Sequence, residues 1–184
     1  MNKSGIFLFL FSILLLIGTS HLYAQQKVVT GPEWNFVLGS WVGEATGKPG
    51  DGAGWFTFIK DLDGNILVRK NHTVFPAANG KPETIHDDLM IIYLDNQGAM
   101  TKAIYFDNEK HVINYAVSFN QVEKSLIFTS EIQQNMPRFR LTYKALENNL
   151  LNIDFEFAPP NQPEAFSKYV SGKAHQKKVT EKLN

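Results

Sequence analysis

The chain has no cysteine among its 184 residues. A disulfide framework and attachment through a lipidated cysteine are therefore excluded, and the fold must stand on its own hydrophobic core. Charge of one sign is missing too, since 18 Lys and Arg balance 18 Asp and Glu. A chain this close to neutral exerts no broad electrostatic pull on nucleic acid or anionic membranes. No basic patch with interleaved aromatics offsets that balance. No segment sustains a helical period, and there is neither a Gly-x-Ser-x-Gly elbow nor a phosphate-cradling glycine loop. Gly47, Gly50, Gly52 and Gly54 lack the strand-to-helix setting that phosphate binding requires. Apolar runs are short as well: residues 6–17 fall below the ~20 that a membrane-spanning helix needs.

That run has a different meaning. It follows Lys3 and leads through a polar stretch to Leu22-Tyr23-Ala24, the pattern of a secretory signal peptide with a small residue at the cut. Cleavage after Ala24 is expected. It divides the chain into a signal peptide, residues 1–24, and a single domain, residues 25–184. The expected location is the periplasm or the extracellular space, with no membrane attachment after cleavage. The mature part keeps most of the 14 phenylalanines, enough for a core without disulfides.

Short β-rich runs recur at regular spacing, separated by turn chemistry. Strands are expected at residues 40–46, 54–60, 66–75, 86–94, 99–107, 111–119, 125–131, 137–144, 150–157 and 169–176. Asp63-Gly64 and Asp95-Asn96-Gln97-Gly98 supply turns, and Pro159, Pro160 and Pro163 exclude a strand interior between the last two runs. Alternation gives each strand one buried face. Leu151, Ile153, Phe155 and Phe157 oppose Asn152, Asp154 and Glu156, and Phe139, Leu141 and Tyr143 oppose Arg138, Arg140 and Thr142. The fold class is therefore all-β: an up-and-down antiparallel barrel of about ten strands, since closure removes the edges of so long a meander. A short helix over residues 32–38, with Trp34, Phe36 and Val37, is expected to close one end.

Leu38-Gly39-Ser40-Trp41-Val42-Gly43 resembles the Gly-x-Trp signature that opens the first strand of lipocalin-like (calycin) barrels. With Gly43 two places on, it is similar to nitrobindin-like barrels, which also have ten strands. Further stretches resemble a group of uncharacterised exported bacterial proteins of this fold. They are Leu67-Val68-Arg69-Lys70-Asn71-His72, His86-Asp87-Asp88-Leu89-Met90, Ile104-Tyr105-Phe106-Asp107, residues 137–143 and Phe157-Ala158-Pro159-Pro160. The resemblance implies a fold and no settled chemistry. The nitrobindin likeness also implies haem, held by a histidine on a late strand. His175 is the only late histidine, and its flanks do not match that pattern. The residues themselves call for no cofactor.

Polar residues concentrate in the middle strands. Arg69, Tyr105, Tyr115, Arg138 and Arg140 are candidates to orient the polar end of a small, partly apolar ligand, with Phe and Tyr side chains as walls. The same groups could instead form surface cross-strand pairs or internal salt bridges. His72, His86, Asp107 and His111 fall where successive strands share one mouth and are the candidate catalytic or metal-binding set. Neighbouring strands lie about 4.8 Å apart, so the third and sixth are roughly 14 Å apart, and His86, Asp107 and His111 form the tighter trio. No His-x-His spacing supports a metal, and none is assigned. Three functions stay open: an exported barrel that binds a small molecule, an enzyme using the His/Asp rim, and a structural barrel with a filled interior. No nucleic-acid partner is expected, and the sequence leaves the oligomeric state open.

Overall fold

Alternation becomes architecture in the computed structural model, which describes residues 32–44 and 52–177. The expected signal peptide and residues 45–46 of the expected first strand lie outside this range. The strands are β1 Gly39–Gly43, β2 Ala53–Asp61, β3 Ile66–Phe75, β4 Thr84–Tyr93 and β5 Lys102–Asp107. They continue as β6 Val112–Asn120, β7 Ser125–Ser130, β8 Arg138–Ala145, β9 Leu150–Ala158 and β10 Ser167–Gln176. Each pairs antiparallel with the next, and β1 pairs with β10, which closes an up-and-down barrel of ten strands. Closure satisfies every strand edge, so no disulfide is needed to hold the first strand to the last.

Inward positions follow the period of two. Leu67 and Arg69 on β3, Asp88, Met90 and Ile92 on β4, and Ala103 on β5 are all buried. Across the barrel they are matched by Tyr115 and Val117, Leu126 and Phe128, Leu141 and Tyr143. One end is sealed. The 3₁₀ helix Pro32–Trp34 and the turn after it bring Trp34 and Val37 into the core, and Trp34 meets Phe128 edge-on at 6.0 Å. Trp41 stacks on Phe56 and donates its indole N–H to the Val37 carbonyl at 2.8 Å. That bond satisfies the one polar atom a buried tryptophan carries. Gly39 enters β1 at φ +108°, a conformation that L side chains rarely adopt. The glycine of the Gly-x-Trp signature thus makes the turn that delivers Trp41.

Several boundaries move from their expected places, β1 ending at Gly43 and β4 and β10 each starting two residues earlier. The helix is one short 3₁₀ turn, and β5 begins at Lys102 rather than at residue 99. Asp95 accounts for the later start of β5. Its carboxylate accepts from the Gln97 and Ala99 main-chain N–H groups and from the Thr101 hydroxyl, so residues 95–101 form a side-chain-pinned loop.

Candidate functional site: a polar chain at the barrel mouth

The end opposite Trp34 and Trp41 is chemically different, and several of its inward side chains stay partly exposed. Here β3, β4 and β5 present polar side chains inward, because each strand's inward parity passes from aliphatic to polar along its length. Arg69 sits deepest. It is buried, ion-paired to Asp88 one strand away, and its guanidinium lies 5.8 Å from the ring centroids of both Phe56 and Tyr143. Burial disfavours its charge, but Tyr143, Asp88 and Tyr105 outweigh burial and hold it above its ordinary pKa. The Arg69 Nε and the Tyr143 hydroxyl lack a hydrogen-bond partner of good geometry, although each acts on the other electrostatically. Burial pushes the Tyr143 hydroxyl up to about 12, so it stays protonated.

From Asp88 the chain runs outward. His86 Nε2 lies 3.5 Å from Asp88 Oδ2 and 3.1 Å from the Tyr105 hydroxyl, while its Nδ1 lies 3.2 Å from Glu109. The bond to Asp88, aided by Glu109 and opposed by burial, raises His86 to about 9. It is an imidazolium at neutral pH, with N–H donors on both nitrogens. Tyr105 therefore accepts from His86 and donates to Asp107 at 3.2 Å. Burial, then Asp88 and Asp107, raise the Tyr105 pKa and keep its proton in place.

Asp107 ends the chain. Burial raises its pKa, but the His111 main-chain N–H and His111 ring outweigh that and bring it below the usual carboxylate range. It accepts the main-chain N–H groups of Glu109 and His111 at 3.0 and 2.9 Å, and the His111 ring at 2.8 Å. The turn between β5 and β6 thus folds around one carboxylate, which fixes the His111 ring at the rim.

Of the residues expected to bind a ligand, the structure brings Arg69, Tyr105 and Tyr115 to the lumen. Tyr115 is buried, with its ring edge-on to Tyr105 and Phe128. Arg138 and Arg140 are elsewhere. They alternate with the inward Phe139 and Leu141, so both leave the barrel on its outer face, where Arg140 pairs with Glu156 and Arg138 with Glu164. Both guanidiniums lie over the Phe166 ring and hold the β9–β10 loop against β8. Within the rim set, His86, Asp107 and His111 are joined through Tyr105 as one network.

His72 shares their end of the barrel but not their face. It lies opposite Asp87 in the strand register and bonds it at 2.7 Å on the outside, with its ring stacked on Trp55. It does not join His86 in the site, because the two side chains point to opposite sides of the sheet. His175 is outward too, next to the inward, buried Ala174, so it offers no iron ligand to the lumen and the residues present do not fit haem. Among the described residues, no three His, Asp or Glu side chains are grouped to hold a metal ion.

Asp88 and Asn71 are site residues that alternation alone does not single out. The spacing of His86 and Asp88 puts them on one face, and register then carries Asp88 to Asn71 and, diagonally, to Arg69. The facing wall is apolar. Ile113, Phe139, Ile153 and Phe155 pack against the core from β6, β8 and β9 and stay half-buried, with Phe139 and Phe155 stacked at 5.7 Å. The open half of the lumen thus has a hydrogen-bonding wall and an aromatic wall. No family model and no curated protein matches the chain, and its chemistry is read from this geometry alone.

Proposed function

We propose that this is an exported, lipocalin-like barrel that binds a small, partly apolar molecule in the open half of its lumen. The apolar body lies against Ile113, Phe139 and Phe155, and the polar end meets Asn71, His86 and Tyr105. One observation carries the reading. Toward the mouth the inward Ile113, Phe139 and Phe155 stay partly exposed, alongside the partly exposed Asn71, His86 and Tyr105. Toward the tryptophans, Phe36, Leu38 and Phe119 are the partly exposed exceptions around a fully buried Trp34, Val37, Trp41, Leu67, Ile92 and Leu126. A concave, mainly apolar site with a few fixed polar groups is the usual form of a small-molecule pocket. The polar wall is held rigid by its own hydrogen bonds, so little order is lost when a ligand arrives. Catalysis at the rim has less support, because both His86 nitrogens are already engaged by Asp88, Tyr105 and Glu109.

Native mass spectrometry of protein purified without denaturation from its exported location tests this reading. The expected mass exceeds the polypeptide by one small organic molecule. Phe155→Asp places a charge on the aromatic wall and should weaken retention at least about tenfold, with the circular dichroism of the barrel unchanged. A bare polypeptide mass, together with no binding of anilinonaphthalene sulfonate, would leave a filled structural barrel as the answer.

A further inference from the structure

One inward position of the barrel carries no side chain and has nothing packed over it. Gly172 lies within β10, in register with the inward Ile153, and Ala174, the next inward residue toward the sealed end, is fully buried. Its backbone is outside the positive-φ region that favours glycine. Among the described residues, nothing stands within 4 Å of where its Cβ would be. Gly54, on the inward row of β2, is different, since an added Cβ there would stand 2.0 Å from the His72 carbonyl oxygen. Close strand packing explains Gly54 but not Gly172. A glycine inside a strand, with neither a turn nor a neighbour to require it, marks a place where another molecule approaches the backbone.

The space continues toward the mouth. Val170, the inward residue before Gly172, is 52% exposed. The register shifts between Lys168 and Val170, so Tyr169 is an extra residue that bends the strand at the rim. Phe155 bounds the space on the β9 side. Phe139 of β8 stacks on it with the ring planes 11° apart, and β9 lies between β8 and β10. The other face of Phe155 is therefore turned toward Val170 and Gly172, with the Tyr169 ring at 74° to it. An offset stack of this kind gains from a further ring.

Charge narrows the occupant. The charged groups of the polar wall are already partnered: Arg69 with Asp88, His86 with Asp88 and Glu109, and Asp107 with His111. Arg69 makes no call for an anion, since Asp88 balances it and burial removes it from the rim. A ligand with a charge of its own would leave water for a site with no counter-ion to offer. We infer, taking the lumen as the binding site proposed above, that its ligand is an uncharged molecule with a flat ring. The ring lies over Gly172 as the next member of the Phe139–Phe155 stack.

Fluorescence titration with two probes of one ring system tests both class and position. N-phenyl-1-naphthylamine is uncharged, and anilinonaphthalene sulfonate carries the same rings with a sulfonate. The uncharged probe is expected to bind about tenfold more tightly, or better. Gly172→Phe fills the space and should weaken that binding by about tenfold or more, whereas Gly172→Ala should change it by no more than about threefold. Val170→Trp narrows the same space from the mouth and should act like Gly172→Phe, which keeps the test if the phenylalanine variant does not fold. Equal or tighter binding of the sulfonate overturns the class. Wild-type affinity in folded Gly172→Phe or Val170→Trp overturns the position, and no binding of the uncharged probe overturns both. Native mass spectra keep this apart from the lumen reading: a co-purified molecule that Gly172→Phe still retains sinks the Gly172 position and leaves the lumen as the site.

Discussion

The sealed end and the mouth of the barrel are built from the same alternating strands, yet they solve opposite problems. At the sealed end Trp34, Val37, Trp41, Leu67, Ile92 and Leu126 interlock with no charge among them, and the Trp41 indole finds its partner in the Val37 carbonyl. At the mouth, an aromatic box surrounds a buried cation, and a run of polar contacts from Arg69 to His111 carries polarity out to solvent. The first arrangement gains stability from area removed from water. The second has to recover the desolvation of its charges through pairing, so it adds order and specificity rather than net stability. Polar groups are thus placed where the barrel makes least use of apolar packing.

Separate substitutions probe the two ends, which meet at the Phe56 ring. Trp41→Ala should have the largest effect. It removes a fully buried indole that stacks on Phe56 and closes the end, at a cost of about 3–5 kcal/mol of unfolding free energy by urea titration. A loss below about 1 kcal/mol would mean that the helix end, not Trp41, seals the barrel.

Asp88→Asn should come next, at about 3 kcal/mol, because Arg69 would then be a buried charge without its counter-ion. The double variant Arg69→Met/Asp88→Leu should recover most of that loss. Recovery marks the pair as a specificity device, and failure to recover would show that the pair stabilises the barrel outright.

The smallest effect concerns pH. His86 is raised from an ordinary 6.5 to about 9 in the folded chain, so its contribution is fully present below about pH 6.5 and fades as pH rises through 9. The urea midpoint of the wild type should therefore fall between about pH 7 and 9.5, and His86→Gln should flatten that part of the curve. An unchanged slope in the variant would mean that the network does not hold the imidazolium.

Much of this molecule is legible in its residues because a strand has a period of two. Leu151, Ile153 and Phe155 announce a buried face by their spacing alone, and Asp63-Gly64 announces a turn. The exchange of polar for apolar residues along β3–β5 is visible in the same way, as is the meeting of strand ends that puts His86, Asp107 and His111 at one mouth. Alternation cannot decide which mixed face turns inward. Arg69 alternates with Val68 and Lys70, which leaves its side open, and it is sealed in the lumen; Arg140 alternates with the apolar Phe139 and Leu141 and lies on Phe166 outside.

The chain by itself thus determined the class of fold, the number of strands and the end at which His72, His86 and His111 gather. All of these follow from local period and turn chemistry. Only the tertiary structure decided that Tyr105 links His86 to Asp107, that His72 faces away from both, and that Asp88 neutralises Arg69. Those relations depend on the register between strands, and a slip of one residue would reverse every one of them.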